Sequence, residues 1–283
     1  MDGPFNHVAA PASQLKHLEW FMPGGRIDAL DRWGFRQLPG GVHLSKTLML
    51  ADLRLVMDNA VQSQHGASEE AVVIENILAK PTGTARRLAL SRLNTLYGIK
   101  AARPIQIAMI RLWGQSAQGR PLLALLCALA REPLLRDTAG AVLSAHVASP
   151  MRWPDLAAAI EGKHPGRYSP KMLKSLAQNC ASTWTQSGHL TGKVAKRRAT
   201  AEPSPETAAY AAMLGELAGF GGPALLNSPW MAVLDRPESV LLSLLRRAEA
   251  LGLVRVRAGG GVVQVDAARP MSELLGVPDL ANS

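Results

Sequence analysis

The chain has 283 residues, with 31 Lys and Arg against 22 Asp and Glu, a net charge of +9. At 47% hydrophobic residues a largely disordered chain is excluded, and at 5% aromatics a base-stacking platform for single strands is disfavoured. Two cysteines, Cys127 and Cys180, are too few for a disulfide framework or a zinc site, so a reducing, cytoplasmic setting is expected.

Residues 1–44 alternate Gly and Pro with Trp20, Phe21, Trp33 and Phe35, the composition of an arm packing onto a body through its rings. From 45 to 132 the pattern is helical. Leu48, Leu50, Leu53, Leu55 and Val56 form one stripe; Ser68, Glu69 and Glu70 open a helix that Pro81 stops. Thr82 or Thr84 then caps a helix carrying Leu88, Leu90, Leu93 and Leu96, closed by Gly98. Arg86, Arg87 and Arg92 give this bundle a basic face. Pro104 and Pro121 sit at first-turn positions of two apolar helices. The run Pro121–Ala130 is the most apolar, but ten helical residues reach only about 15 Å, half a bilayer core. No span and no secretory signal is expected.

A helix is predicted over 134–147, with His146 inside it, and a short one over 155–161. Lys163-His164-Pro165-Gly166-Arg167 makes a turn. Ser169 caps and Pro170 opens a helix to Gln186, with Leu173, Leu176, Ala177, Cys180 and Trp184 inward and Lys171, Lys174, Ser175, Gln178 and Ser182 on another face. Lys193, Lys196, Arg197 and Arg198 follow. Residues 151–200 hold 9 basic and 2 acidic residues, against 16 and 11 over 1–150 and 6 and 9 over 201–283. This order and this charge describe a winged helix-turn-helix whose second helix reads a major groove while its basic extension holds phosphates.

After a linker at 199–206, helices are expected over 206–218, 224–234 and 237–251. The last buries Val240, Leu241, Leu244, Leu245, Ala248 and Leu251 and leaves Leu242 exposed. Val254, Val256, Val263 and Val265 alternate about Gly259-Gly260-Gly261 as a β-hairpin. The predicted protein is therefore mainly α: an arm (1–44), a helical bundle (45–132), a basic winged-helix-like module (133–198) and a C-terminal winged-helix module (199–283). Arg246, Arg247, Arg255 and Arg257 of the last module form a secondary contact, to DNA or to a protein partner. Balanced charge on its third helix leaves both open.

No catalytic constellation stands out, and no cofactor or metal site is expected. Gly188 to Val194 is one residue short of a phosphate loop and lacks the hydroxyl after Lys193. The seven histidines show no metal-ligand spacing.

The stretches Leu44-Ser-Lys-Thr-Leu-Met-Leu-Ala-Asp52, Glu75-Asn-Ile-Leu-Ala-Lys-Pro-Thr-Gly-Thr-Ala-Arg-Arg87, Ser91-Arg-Leu-Asn94, Leu122-Leu-Ala-Leu-Leu-Cys-Ala-Leu-Ala130, Leu134-Leu-Arg-Asp137 and Tyr168-Ser-Pro-Lys-Met-Leu-Lys-Ser-Leu-Ala-Gln-Asn179, with Trp184, cover roughly 44–200. On these residues the chain resembles the BrxA family of bacteriophage-exclusion (BREX) defence systems. The resemblance implies a non-enzymatic binder of double-stranded DNA, acting beside a methyltransferase, an ATPase and a phosphatase-like subunit. An adaptor docking other defence subunits, or a winged-helix transcriptional regulator, are the alternatives.

Overall fold

The structure is a computed structural model that describes residues 18–22, 27–38, 41–63, 69–100, 102–259 and 262–282. Its helices begin and end where local chemistry dictates. The bundle comprises α1 (Ile27–Trp33), α2 (Leu50–Ser63), α3 (Glu69–Val73), α4 (Gly83–Tyr97), α5 (Pro104–Trp113) and α6 (Arg120–Arg131). Thr82 Oγ1 accepts the Ala85 N–H at 3.1 Å to start α4, and Gly98, at φ 70°, closes it in the left-handed conformation. Leu90, Leu93, Leu96 and Tyr97 turn inward. Leu88 of the predicted stripe, like Leu55 on α2, faces solvent instead.

Helix α6 explains the most apolar run. Every residue from Leu122 to Ala130 is buried, because α6 is walled by α4, α5, the next short helix α7 (Pro133–Asp137), and two later helices, α10 (Pro170–Gln186) and α11 (Pro205–Leu217). A helix apolar all round belongs in a core. No described helix is long and apolar enough to cross a membrane. Helix α11 is its counterpart: Ser204 and Thr207 cap it reciprocally, it is buried along nearly its whole length, and the Tyr210 hydroxyl donates to the Ile105 carbonyl at 2.9 Å. One apolar cluster runs from Trp20 to Leu280, crossing all the segment boundaries read from the sequence.

The described part of the arm packs as its rings predict. Trp20 and Phe35 meet Trp230 edge-on at 4.9 and 5.5 Å, and the Trp33 indole donates to the Asp279 carbonyl at 2.9 Å, tying the first helix to the last turn. Residues 1–17 of the arm lie outside the described residues, as do the Ser68 cap and Gly260-Gly261.

Several elements differ from expectation. Helix α3 stops at Val73, well before Pro81, because Asn76 turns left-handed (φ 58°) and its side chain clamps Lys80 through both backbone groups. The helix over 134–147 is broken into α7 and α8 (Ala139–Leu143). At the joint, Thr138 Oγ1 back-bonds to the Leu135 carbonyl at 2.7 Å and receives the Trp184 indole N–H at 2.8 Å. His146 therefore lies beyond the helix and is exposed rather than held in a core. A three-stranded antiparallel sheet, not predicted strand by strand, joins β1 (Pro150–Met151), β3 (Lys196–Arg198) and β2 (Leu190–Thr191) in that order. Between β1 and β2 run α9 (Trp153–Lys163) and α10.

The C-terminal segment continues through α12 (Pro223–Leu226), α13 (Pro229–Ala232) and α14 (Glu238–Ala250) to the predicted hairpin, β4 (Arg255–Gly259) with β5 (Val262–Asp266). Its register pairs Val256 with Val265 and Ala258 with Val263. On α14, Leu241, Leu244, Leu245 and Ala248 are buried as expected. Val240 and, just past the helix, Leu251 are exposed, while Leu242 packs partly against the core. Helix α15 (Ala268–Leu275) and a final 3-10 turn (Pro278–Asn282) were not foreseen.

Candidate nucleic-acid interface

Helix α10 is built from its cap outward. Ser169 Oγ accepts the Met172 N–H at 3.3 Å, and Pro170 fills the first turn, where its missing donor costs nothing. Leu176, Ala177, Cys180 and Trp184 are buried, and Leu173 packs partly against the core. On the other side Lys171, Lys174, Ser175 and Gln178 are all exposed. These four of the predicted contacts share one outward strip, and α10 carries no acidic residue.

Each edge of that strip is fixed to a different part of the molecule. Along one edge Asn179 donates to the His43 carbonyl at 3.1 Å, Thr183 Oγ1 receives the Leu48 N–H at 2.9 Å and pairs with His43 Nε2 at 2.8 Å, and Gln186 binds both the Leu50 N–H and Thr47 Oγ1 at 3.0 Å. Behind this edge the Glu132 carboxylate receives the N–H groups of Val42 and His43 at 2.9 and 3.2 Å. Burial pushes that carboxyl up, but the His43 ring and the two N–H groups outweigh it and hold Glu132 below the usual carboxylate range. Gly41, at φ 135°, is required here, since a Cβ would lie 2.4 Å from both carboxylate oxygens.

Along the other edge stands the β2–β3 hairpin. Lys196 was expected to bind phosphate. It is half-buried instead, with its ammonium donating to Thr185 Oγ1 at 2.8 Å and to the Gly192 carbonyl at 3.4 Å, and burial lowers its pKa. Arg198, predicted to hold phosphate, is enclosed instead. Only 2% exposed, it pairs with Asp235 at 2.6 Å and donates to the carbonyls of His189 and Ala199. Successive strand residues point to opposite faces, so the inward position of Arg198 puts Arg197 outside. Arg197 is exposed and spends one N–H on the Ala148 carbonyl at 2.9 Å. Lys193 is exposed at the hairpin tip.

Before α10, Lys163 and Arg167 are exposed, the latter over the Tyr168 ring at 5.7 Å. His164 is turned inward onto Asp137 at 2.8 Å and does not join them. Ser182 is half-buried and receives the Gln186 amide at 3.3 Å. Lys174 lies over the exposed Trp153 ring at 5.4 Å, which holds its long stem against the surface. Arg152, exposed between β1 and α9, adds a cation that the sequence reading does not single out.

The acids of the region are used locally: Asp155 accepts the Arg152 N–H and Glu161 the Gly166 N–H, each at 2.8 Å. From Gly162 to Ala201 the chain has no Asp or Glu. The surface over α10 and the hairpin is thus cationic without internal neutralisation, the condition for a field that attracts a polyanion.

The secondary group behaves differently. Arg246 pairs with Glu249 at 3.0 Å and caps the Val256 carbonyl, and Arg255 reaches Glu273 at 3.5 Å, a carboxylate shared with Arg269. Arg247 and Arg257 are exposed, with no carboxylate partner among the described residues.

Burial pushes the Cys127 thiol up to about 12 and Cys180 higher still, so neither is a nucleophile at neutral pH. No group of three metal-ligating side chains occurs among the described residues. His189, buried against Trp184, bonds Ser187 Oγ and the Val233 carbonyl, a structural role. Compared with family models, with curated proteins and with solved structures, the chain matches none.

Proposed function

We propose that the protein is a non-enzymatic, double-stranded DNA-binding component of a BREX-type anti-phage defence system. The observation that carries the DNA reading is the acid-free, outward strip of α10 bounded by the Lys193–Arg197 hairpin. The order of helices α7 and α8, strand β1, helices α9 and α10, then hairpin β2–β3 supports reading this unit as a winged helix-turn-helix. In that reading α10 enters the major groove, where Lys171, Lys174, Ser175 and Gln178 hydrogen-bond base edges. Lys163, Arg167, Lys193 and Arg197 hold phosphates, which sets position and affinity but reads no sequence. The defence assignment rests on the resemblance over 44–200, and with it come the methyltransferase, ATPase and phosphatase-like partners.

The test is a gel-shift titration across a salt series, with candidate-site and random duplexes. Affinity should fall steeply with salt, at about 0.9 log units per log unit of salt for each phosphate contact. Reversing Lys171, Lys174, Lys193 and Arg197 to Glu should weaken binding roughly a thousandfold at low salt while leaving the fold intact, since all four are exposed. Unchanged affinity would sink the assignment, and protection of one defined operator would select the transcriptional regulator instead.

A second reading, docking of a partner protein, is favoured by one observation. Val240 on α14, Leu251 at its end and Leu274 on α15 are exposed, the last by 53%. Salt-insensitive co-purification with another defence subunit, lost in a Val240→Ser, Leu274→Ser double variant, would establish it.

A further inference from the structure

Resting on the DNA reading, we infer that the duplex footprint extends beyond the basic module: the bundle loop Ser45-Lys46-Thr47, with Arg92 of α4, forms a second phosphate-binding rim on the opposite side of α10 from the hairpin.

The placement follows from helix geometry. At about 100° per residue, Lys171, Ser175, Gln178 and Ser182 form the middle of the outward strip. Asn179, Thr183 and Gln186 lie along one border, and every one of them is bonded to the segment 43–50. Thr185 lies on the other border and holds Lys196 of the hairpin. The C-terminal half of α10 is therefore flanked on both borders. The hairpin stands on one side and the loop 45–47 on the other.

That second side is cationic and built to stay in place. Ser45 and Lys46 are exposed, and no bond of the Lys46 ammonium occurs among the described residues. Arg92 reaches across from α4 to donate to Ser45 Oγ at 3.0 Å, a neutral partner that leaves its charge uncompensated. No acidic residue occurs between Asp31 and Asp52, nor between Glu75 and Glu132. Asp52 is taken by Lys80 at 2.9 Å, and Glu132 is buried. The loop is anchored by the Glu132 bonds at its start and by the Tyr97 hydroxyl, which donates to the Leu48 carbonyl at 2.6 Å, at its end. A preorganised loop loses little entropy on binding.

A rim on each side suits a duplex and nothing smaller. A helix of about 10–12 Å diameter seated in a major groove about 12 Å wide has a phosphate backbone along both flanks. The hairpin then serves one strand and the 45–47 loop the other. A one-sided winged unit would leave the second strand uncontacted.

The test uses the full chain and a short random-sequence duplex, titrated at several salt concentrations. Lys46→Ala with Arg92→Gln, where Gln can keep the Ser45 bond, should reduce the salt slope by about 1.8, and Lys46→Ala alone by about 0.9. Lys100→Ala, whose ammonium already faces Glu69 at 2.5 Å, should leave the slope unchanged. Melting temperatures equal to the parent's show that the fold is kept; since Lys46 is exposed, the single variant tests the rim even if the double variant is destabilised. If the parent chain binds duplex and both variants keep its slope, the rim is wrong and the α10 reading stands. If the parent chain does not bind duplex at low salt, both fall together.

Discussion

The basic unit around α10 and the acidic unit around α14 share a local plan, an amphipathic helix followed by an antiparallel hairpin, and present opposite surfaces. On α10 there is no carboxylate, and from Gly162 to Ala201 the chain has no Asp or Glu. On the second unit the arginines meet carboxylates: Arg246 with Glu249, and Arg255 and Arg269 with Glu273. Exposed pairs of this kind add little stability, but they cancel the field that would draw in a polyanion. The same layout therefore carries an uncompensated cationic face in one place and a largely neutralised one in the other. The partner is decided by which side chains are left unpaired, not by the architecture.

The two units are also joined. Arg198 of the first pairs with Asp235 of the second, and His189 bonds the Val233 carbonyl. Cations that look alike in sequence divide accordingly into those that face solvent and those that hold the units together.

The sharpest way to break this contrast is charge reversal in each unit separately. Glu at Lys171, Lys174, Lys193 and Arg197 should weaken duplex binding roughly a thousandfold at low salt. The matching reversal of Arg246, Arg247, Arg255 and Arg257 should cost less than about tenfold, because half of those charges are already neutralised. Comparable losses in the two gel-shift series would erase the distinction.

Next in size is the joint. Arg198→Ala leaves Asp235 without its partner and empties a buried site, and should destabilise the fold by about 3 kcal/mol in urea unfolding. Its neighbour Arg197→Ala should cost under about 0.5 kcal/mol yet reduce the salt slope by about 0.9. The opposite ranking would mean that the strand faces the other way.

The same joint predicts a pH dependence. Burial depresses His189 from 6.5 to about 4. Between those values the unfolded chain takes up a proton that the folded chain refuses, so stability is present above pH 6.5 and falls as the pH drops toward 4. The loss approaches about 3 kcal/mol for this group alone. Glu132, held low in the fold, loses stability in the same direction on acidification. Unfolding titrations of His189→Gln should give a flatter acid limb than the parent chain. An equally steep limb would assign the effect elsewhere.

The smallest effect concerns the seat of α10 on the bundle. Thr183→Val strips the Leu48 N–H of its acceptor and the His43 ring of its hydrogen-bond partner, at about 1–2 kcal/mol. Duplex affinity measured well below the melting temperature should hardly move, as Thr183 is buried. A large loss of affinity with no loss of stability would show that this edge moves during binding.

Much of this protein is legible from neighbours in the chain. Thr82 and Gly98 bracket α4, Ser169 and Pro170 open α10, and the alternating valines about the glycines make the C-terminal hairpin, since caps, first-turn prolines and strand periodicity act within a few residues. Segmental charge is legible for the same reason: it is a sum over composition. Which charges remain on the surface is not. Lys196, Arg197 and Arg198 are consecutive cations, yet one braces the hairpin, one faces solvent and one is buried against Asp235, 37 residues away. His146 is exposed whereas His189 is enclosed, a difference that only the packing makes. The short strands β1, β2 and β3 have too few residues to show a period and exist only because they pair with one another. Sequence alone determined the capped helices α4 and α10, the C-terminal hairpin and where positive charge is concentrated. Tertiary structure decided which of those charges stay exposed and unpaired, because burial and ion pairing depend on residues that only the folded chain brings together.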